Sequence, residues 1–249
     1  MIRVKLILLL LVTHCLCVSG QEASDDFGMW YTVGVKKTLS EKVSVLLEGE
    51  YRTRNKSRTS DRWSGAAEVS YKPHPLLKVE GGYKLIDDNQ SEKISYTKEG
   101  TLHHWRPSYW RLRHRVYAGL ELGKKFNRLS IAWRERWQYT YHGTSLVERY
   151  DFEDERWEEH RTDSKAKHEL RSRLKVEYDF PHWKLDPEFS VEFFNTTRTD
   201  KIRMTLGTEY KIQKKHVLAA FYRFQFNNEP GSGADYNEHI IGLGYEFHF

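Results

Sequence analysis

From Phe27 to the end of the chain, apolar and polar residues alternate with a period of two, in segments of about 10 to 13 residues separated by turn-forming residues. A strand points successive side chains to opposite faces, so this period dictates strands with one apolar and one charged face. Eleven segments satisfy it: 27–37, 43–54, 62–71, 76–87, 109–122, 129–141, 167–178, 185–194, 201–211, 216–226 and 239–249. No stretch sustains a helical period. In the second, Val43, Val45, Leu47, Gly49 and Tyr51 oppose Glu48, Glu50, Arg52 and Arg54. In the fifth, Trp110, Leu112, Val116, Ala118, Leu120 and Leu122 oppose Arg111, Arg113, Arg115 and Glu121.

Charged residues make up 30% of the chain, which excludes a bundle of membrane-spanning helices, since each needs about 20 nearly uncharged residues. A barrel remains open, because strands that cross a bilayer are greasy on one face only. Residues 1–20 read as a secretory signal peptide, with Arg3 and Lys5 at the start, an apolar core over Leu6–Val12, and Val18-Ser19-Gly20 before an expected cleavage. The domain proper is then 21–249. Both cysteines, Cys15 and Cys17, leave with the leader, so disulfides and thiol chemistry are excluded from the mature chain. Loss of Arg3 and Lys5 lowers the net charge from +5 to +3, and the Arg-rich faces are interspersed with Glu, so nucleic acid is not an expected partner.

Short and long connections alternate along the chain, as periplasmic turns and external loops do in outer-membrane barrels. Alternation alone does not say which face is inside. Two features put the apolar face outward: Trp63, Tyr71, Trp110, Tyr139, Tyr141, Tyr178 and Tyr210 recur near strand ends, as in interfacial girdles, and the last segment ends Ile241, Leu243, Tyr245, Phe247, Phe249. The expected fold is all-β: an antiparallel transmembrane β-barrel of ten to twelve strands with a polar, salt-bridged lumen. Single-chain bacterial barrels normally have an even number of strands, so the first segment is either partial, giving ten, or joined by a further element, giving twelve. The lumen is expected to hold Arg52, Arg54, Arg111, Arg113, Arg115, Arg134, Arg136, Arg171 and Arg173 against Glu48, Glu50, Glu80, Glu121, Glu169 and Glu177. Mixed signs and the lack of small residues favour a plugged, structural interior over an open pore.

Asp26-Phe27-Gly28-Met29-Trp30, then Val35-Lys36-Lys37-Thr38-Leu39-Ser40-Glu41-Lys42, then Glu48 to Arg54, resemble an outer-membrane barrel family catalogued as domain of unknown function 2490. The shared pattern is an early Trp strand, a Lys-Lys-Leu-Ser turn and a strand ending Glu-x-x-x-Arg. The resemblance implies the fold over most of the mature chain and brings no catalytic residues. A terminal aromatic such as Phe249 also resembles the sorting signal read by the barrel-assembly machinery, which implies that machinery and outer-membrane lipids as partners.

Three polar residues interrupt the apolar faces: His114, Glu135 and Ser172. If Leu122 pairs with Asn127, His114 falls opposite Glu135 and Ala118 opposite Ile131, with Ser172 on the next strand. A Ser, His and acid set on an outer wall resembles outer-membrane phospholipases, in which the acid orients the imidazole that activates serine. The plain alternative is mutual neutralisation of His114 and Glu135. In the largest loop, Asp151, Glu153, Asp154 and Glu155 offer oxygen ligands for Ca²⁺, without the spacing of a dedicated calcium loop. His103-His104-Trp105 is too short to name a metal site, and no cofactor motif occurs. The expected role is therefore structural, binding or narrow transport. The alternatives are a lipid-modifying enzyme on the outer wall and a soluble periplasmic lipid-binding barrel.

Overall fold

A computed structural model describes residues 25–181, 183–213, 215–228 and 236–249; the leader over 1–20 and its cleavage site lie outside the described residues. The strands are β1 (Asp26–Thr38), β2 (Val43–Arg54), β3 (Thr59–His74), β4 (Leu77–Gln90), β5 (Lys93–Tyr96), β6 (Leu102–Arg106), β7 (Tyr109–Phe126) and β8 (Leu129–His142). There follow β9 (Ser145–Asp151), β10 (Arg156–Thr162), β11 (Lys165–Tyr178), β12 (Leu185–Asn195), β13 (Thr199–Ile212), β14 (His216–Asn227) and β15 (Tyr236–His248). Every period-two segment of the sequence becomes one strand of a closed barrel, in the order β1-β15-β14-β13-β12-β11-β8-β7-β4-β3-β2. The other four form a separate sheet, β10-β9-β6-β5.

The barrel has eleven strands, within the expected ten to twelve but not an even number, and one of its pairings is parallel. The first strand is complete: it pairs with β2 from Trp30 to Thr38 and with β15 from Asp26 to Lys36. Hairpin connections reverse direction at every step, so an odd count leaves the first and last strands running the same way, and β1 meets β15 in parallel. Closure still removes every free edge.

The charged face is inside. Leu47, Leu120, Leu122 and Leu243 are exposed on the outer wall, whereas Glu80, Arg134, Glu192 and Arg203 are buried. That is the inverse of a soluble lipid-binding barrel, whose apolar face would line the interior. Trp63, Tyr71, Trp110, Tyr141 and Tyr178 stand on the outer wall as expected. The short links lie at one end of the barrel. At the other end β5–β6 extends the connection between β4 and β7, and β9–β10 that between β8 and β11. The link from β12 to β13 is a tight turn over 196–198 in which the Thr196 hydroxyl donates to Asp200.

The register between β7 and β8 differs from expectation. β7 continues through Gly123-Lys124-Lys125 to Phe126, which pairs with Leu129 across an Asn127-Arg128 turn. Asn127 has φ 56°, a left-handed conformation that Asn tolerates. Consequently Ala118 faces Trp137, Leu120 faces Glu135, and His114 faces Tyr141.

Candidate functional site

Every lumen charge expected from the alternation occupies an inward position, and carboxylates are shared among several cations. Glu192 on β12 accepts from Arg134 at 2.7 Å and Arg171 at 2.8 Å, with Arg203 at 3.4 Å. Glu80 pairs with Arg136 and, at 3.1 Å, with Lys78. Glu50 takes Arg52 at 2.8 Å and Lys84 at 3.3 Å. Glu121 bridges Lys78 and Arg173, and Asp88 bridges Arg62 and Arg113. Arg54 meets Asp61, Glu169 meets Lys167, and Glu177 meets Lys175. Sharing of this kind is what makes charge tolerable away from water.

Aromatic rings enter the same network. Trp30, the inward tryptophan of the early strand, is buried beneath three guanidiniums: Arg52 at 3.6 Å from the ring centre, Arg223 at 4.6 Å and Arg203 at 5.0 Å. Phe194 lies under Arg171 and Arg203 at 4.5 and 4.6 Å. Such contacts favour cations over a desolvated ring. Sequence reasoning singled out Trp30 as part of a motif, but its face became legible only from the parity of β1.

The network encloses a cavity of about 1090 Å³. Among the described residues, sixteen Lys and Arg line it against nine Asp and Glu. Counting Glu80, Asp88 and Glu121 behind the wall, with Lys78, still leaves cations in excess. Arg111, Arg115, Lys201 and Arg223 take part in none of the ion pairs of the described residues. Arg111 donates to Gln90 at 2.6 Å, Arg115 to Thr140 and Arg223 to Thr205, each at 2.9 Å, and Lys201 lies over Phe194. A buried belt of Arg134, Gln138, Glu192, Arg203 and Gln225 forms part of the cavity lining.

On the outer wall the expected Ser, His and acid set does not assemble. Ser172 faces Glu135 and donates to its carboxylate at 2.8 Å. His114 is elsewhere: its Nδ1 shares a 2.7 Å hydrogen bond with the Tyr83 hydroxyl. The longer β7 moved His114 toward the loop end of β8, away from Glu135. His239 with Tyr222 at 2.6 Å and His216 with Tyr245 at 2.8 Å repeat the same diagonal cross-strand pairing, so these three imidazoles each have a phenol partner. Glu135 has one hydroxyl partner and, among the described residues, no ion pair. Glu135→Leu is expected to raise the unfolding free energy by about 1 kcal/mol, since an acidic side chain facing lipid costs something less than the 2–4 kcal/mol of a basic one at the midplane. Urea unfolding in lipid vesicles would show a higher midpoint, and a lower one would refute a lipid-facing position.

The proposed calcium ligands also separate. Asp154 pairs with Arg156 at 2.9 Å, Asp151 and Glu153 turn toward histidines, and Glu155 occupies the turn with φ 50°.

A closed barrel with an apolar outer wall, a salt-bridged interior and long loops at one end is an outer-membrane-type β-barrel. The chain belongs to the family described as "Protein of unknown function (DUF2490)", which matches residues 27–237. Among solved structures it is similar to the β domain of the Bordetella autotransporter BrkA, at 12% identity and a TM-score of 0.52, over 85% of this chain and 86% of that one. At that identity the likeness is one of fold. Among curated proteins none matches the sequence.

Proposed function

We propose that the protein lies in the bacterial outer membrane, after cleavage near Gly20, and binds an anionic solute in its lumen from the loop side. The observation that supports this reading is the cation excess around the cavity, concentrated in Arg111, Arg115, Lys201 and Arg223, which have no carboxylate partner among the described residues. Guanidinium groups with donors to spare suit phosphate or carboxylate oxygens. The buried, hydrogen-bonded belt within the cavity lining favours binding over free passage. On this reading the outer wall contacts lipid directly, and the C-terminal strand ending at Phe249 serves the barrel-assembly machinery.

Titrating inorganic tripolyphosphate into the refolded barrel tests the proposal. Saturable binding that weakens with salt is expected, and the triple variant Arg115→Gln, Lys201→Gln, Arg223→Gln should lose at least about tenfold in affinity, the equivalent of one lost charge-assisted contact. Undiminished binding in the triple variant would sink the idea. In planar bilayers the protein should lack a large steady conductance; porin-sized currents would replace binding by passage.

A further inference from the structure

We infer that the two long loops carry a binding site for a zinc-class divalent cation, built from His103, His104 and Asp151 with Glu153 as fourth ligand. The strand ladder that joins hairpins β5–β6 and β9–β10 is short, with the pairs His104↔Asp151 and Trp105↔Tyr150, and the cluster sits at that narrow seam. Adjacent residues of a regular strand point to opposite faces. Here the pairing shifts register, with Ser95 facing His104 and Tyr96 facing Leu102, so His103 is the extra residue of a bulge. A bulge re-aims side chains, and the two imidazole rings lie with centres 3.6 Å apart.

His104 Nε2 is 3.3 Å from Asp151 Oδ2, and His103 Nδ1 is 3.3 Å from Glu153 Oε1. Ligand atoms of the three core residues all lie within 4.8 Å of one another. Around a tetrahedral ion with bonds of about 2.0–2.2 Å, ligands stand about 3.4 Å apart, so rotation of side chains on two hairpins suffices to close the set. Oδ1 of Asp151 accepts from the backbone N–H groups of Glu153 and Asp154, which leaves Oδ2 facing the histidines. The Nδ1 of His103 is buried and makes no hydrogen bond. Glu158, also near His104, is committed to Arg149, whereas Glu153 pairs with no Lys or Arg among the described residues. Two imidazoles with carboxylates suit zinc-class ions and not calcium, which takes oxygen ligands throughout. A bound ion would staple two hairpins that backbone pairing joins weakly.

Titration of Zn²⁺ alone into the refolded full-length barrel, followed by calorimetry and by the visible spectrum of the Co²⁺ form, tests this. A single ion per chain is expected, with affinity falling at least about tenfold in His104→Ala and in Asp151→Asn and unchanged in Glu99→Gln of the same loop. His104→Gln keeps a polar side chain on β6 and should lose affinity equally, which separates ligand loss from a loosened hairpin. Absence of a stoichiometric site in the wild type, full affinity in either His104 variant, or tighter binding of Ca²⁺ than of Zn²⁺ would overturn the assignment.

Discussion

Glu192→Gln is expected to destabilise the barrel by about 3–5 kcal/mol, the cost of removing one partner from a buried charge network. Glu192 is 5% exposed and is shared by Arg134, Arg171 and Arg203 from three different strands, β8, β11 and β13. Glutamine keeps the shape and one acceptor oxygen but removes the charge. Three guanidiniums would then face one another in a space shielded from water, with Arg203 already beside Arg171 over Phe194. Glu177→Gln provides the contrast: Glu177 meets Lys175, a cation that Glu188 also neutralises, and its loss should cost about 1 kcal/mol or less, as for partly exposed pairs. Denaturant unfolding of both variants in lipid vesicles, followed by tryptophan fluorescence, measures the difference. Equal midpoints would mean that the belt is hydrated and contributes little.

A second large effect is expected from Gly242→Ala. On β15 this glycine faces Phe221 of β14, whose ring lies flat across it; an added Cβ would come within 1.9 Å of Phe221 Cζ and 2.3 Å of both Cε atoms. The ring is itself covered by the Arg223 guanidinium at 4.4 Å, so it moves only by disturbing the cations above Trp30. Overpacking of this kind typically costs about 1–3 kcal/mol. Adding Phe221→Leu should recover part of the loss, because it removes the ring atoms that clash. Gly65→Ala is the control. A Cβ there meets nothing within 4 Å, and the reduced freedom of the unfolded chain should leave stability unchanged or raised by as much as about 1 kcal/mol. Unfolding midpoints, with heat-modifiable gel migration as the check on folding, decide between the two positions; a Gly242→Ala barrel as stable as wild type would show that Phe221 does not hold this pose.

The legible and illegible parts of this fold divide by the range of the interaction. The eleven barrel strands could be read because the period of two is local, and the same period assigned Arg52, Arg113, Glu80 and Glu169 to the lumen. The four loop strands could not, since β5, β6, β9 and β10 are short and their pairing depends on contacts between loops. His114 is odd in the alternation, but its partner Tyr83 sits on β4, the neighbouring barrel strand, in a diagonal relation that no spacing within β7 reveals. The misplaced contact with Glu135 came from the β7–β8 turn: a shift in where a hairpin closes moves every pair on both strands.

By itself, the sequence determined that the chain makes two-faced strands, which residues share each face, and that charge and grease must part to opposite sides of one wall. Only the tertiary structure decided that closure takes eleven strands and joins β1 to β15 in parallel. It alone decided which carboxylate serves which guanidinium, and that His103, His104 and Asp151 come together. The reason is physical: side-chain alternation is a property of a single strand, whereas register, closure and the sharing of buried charge are properties of strands relative to one another.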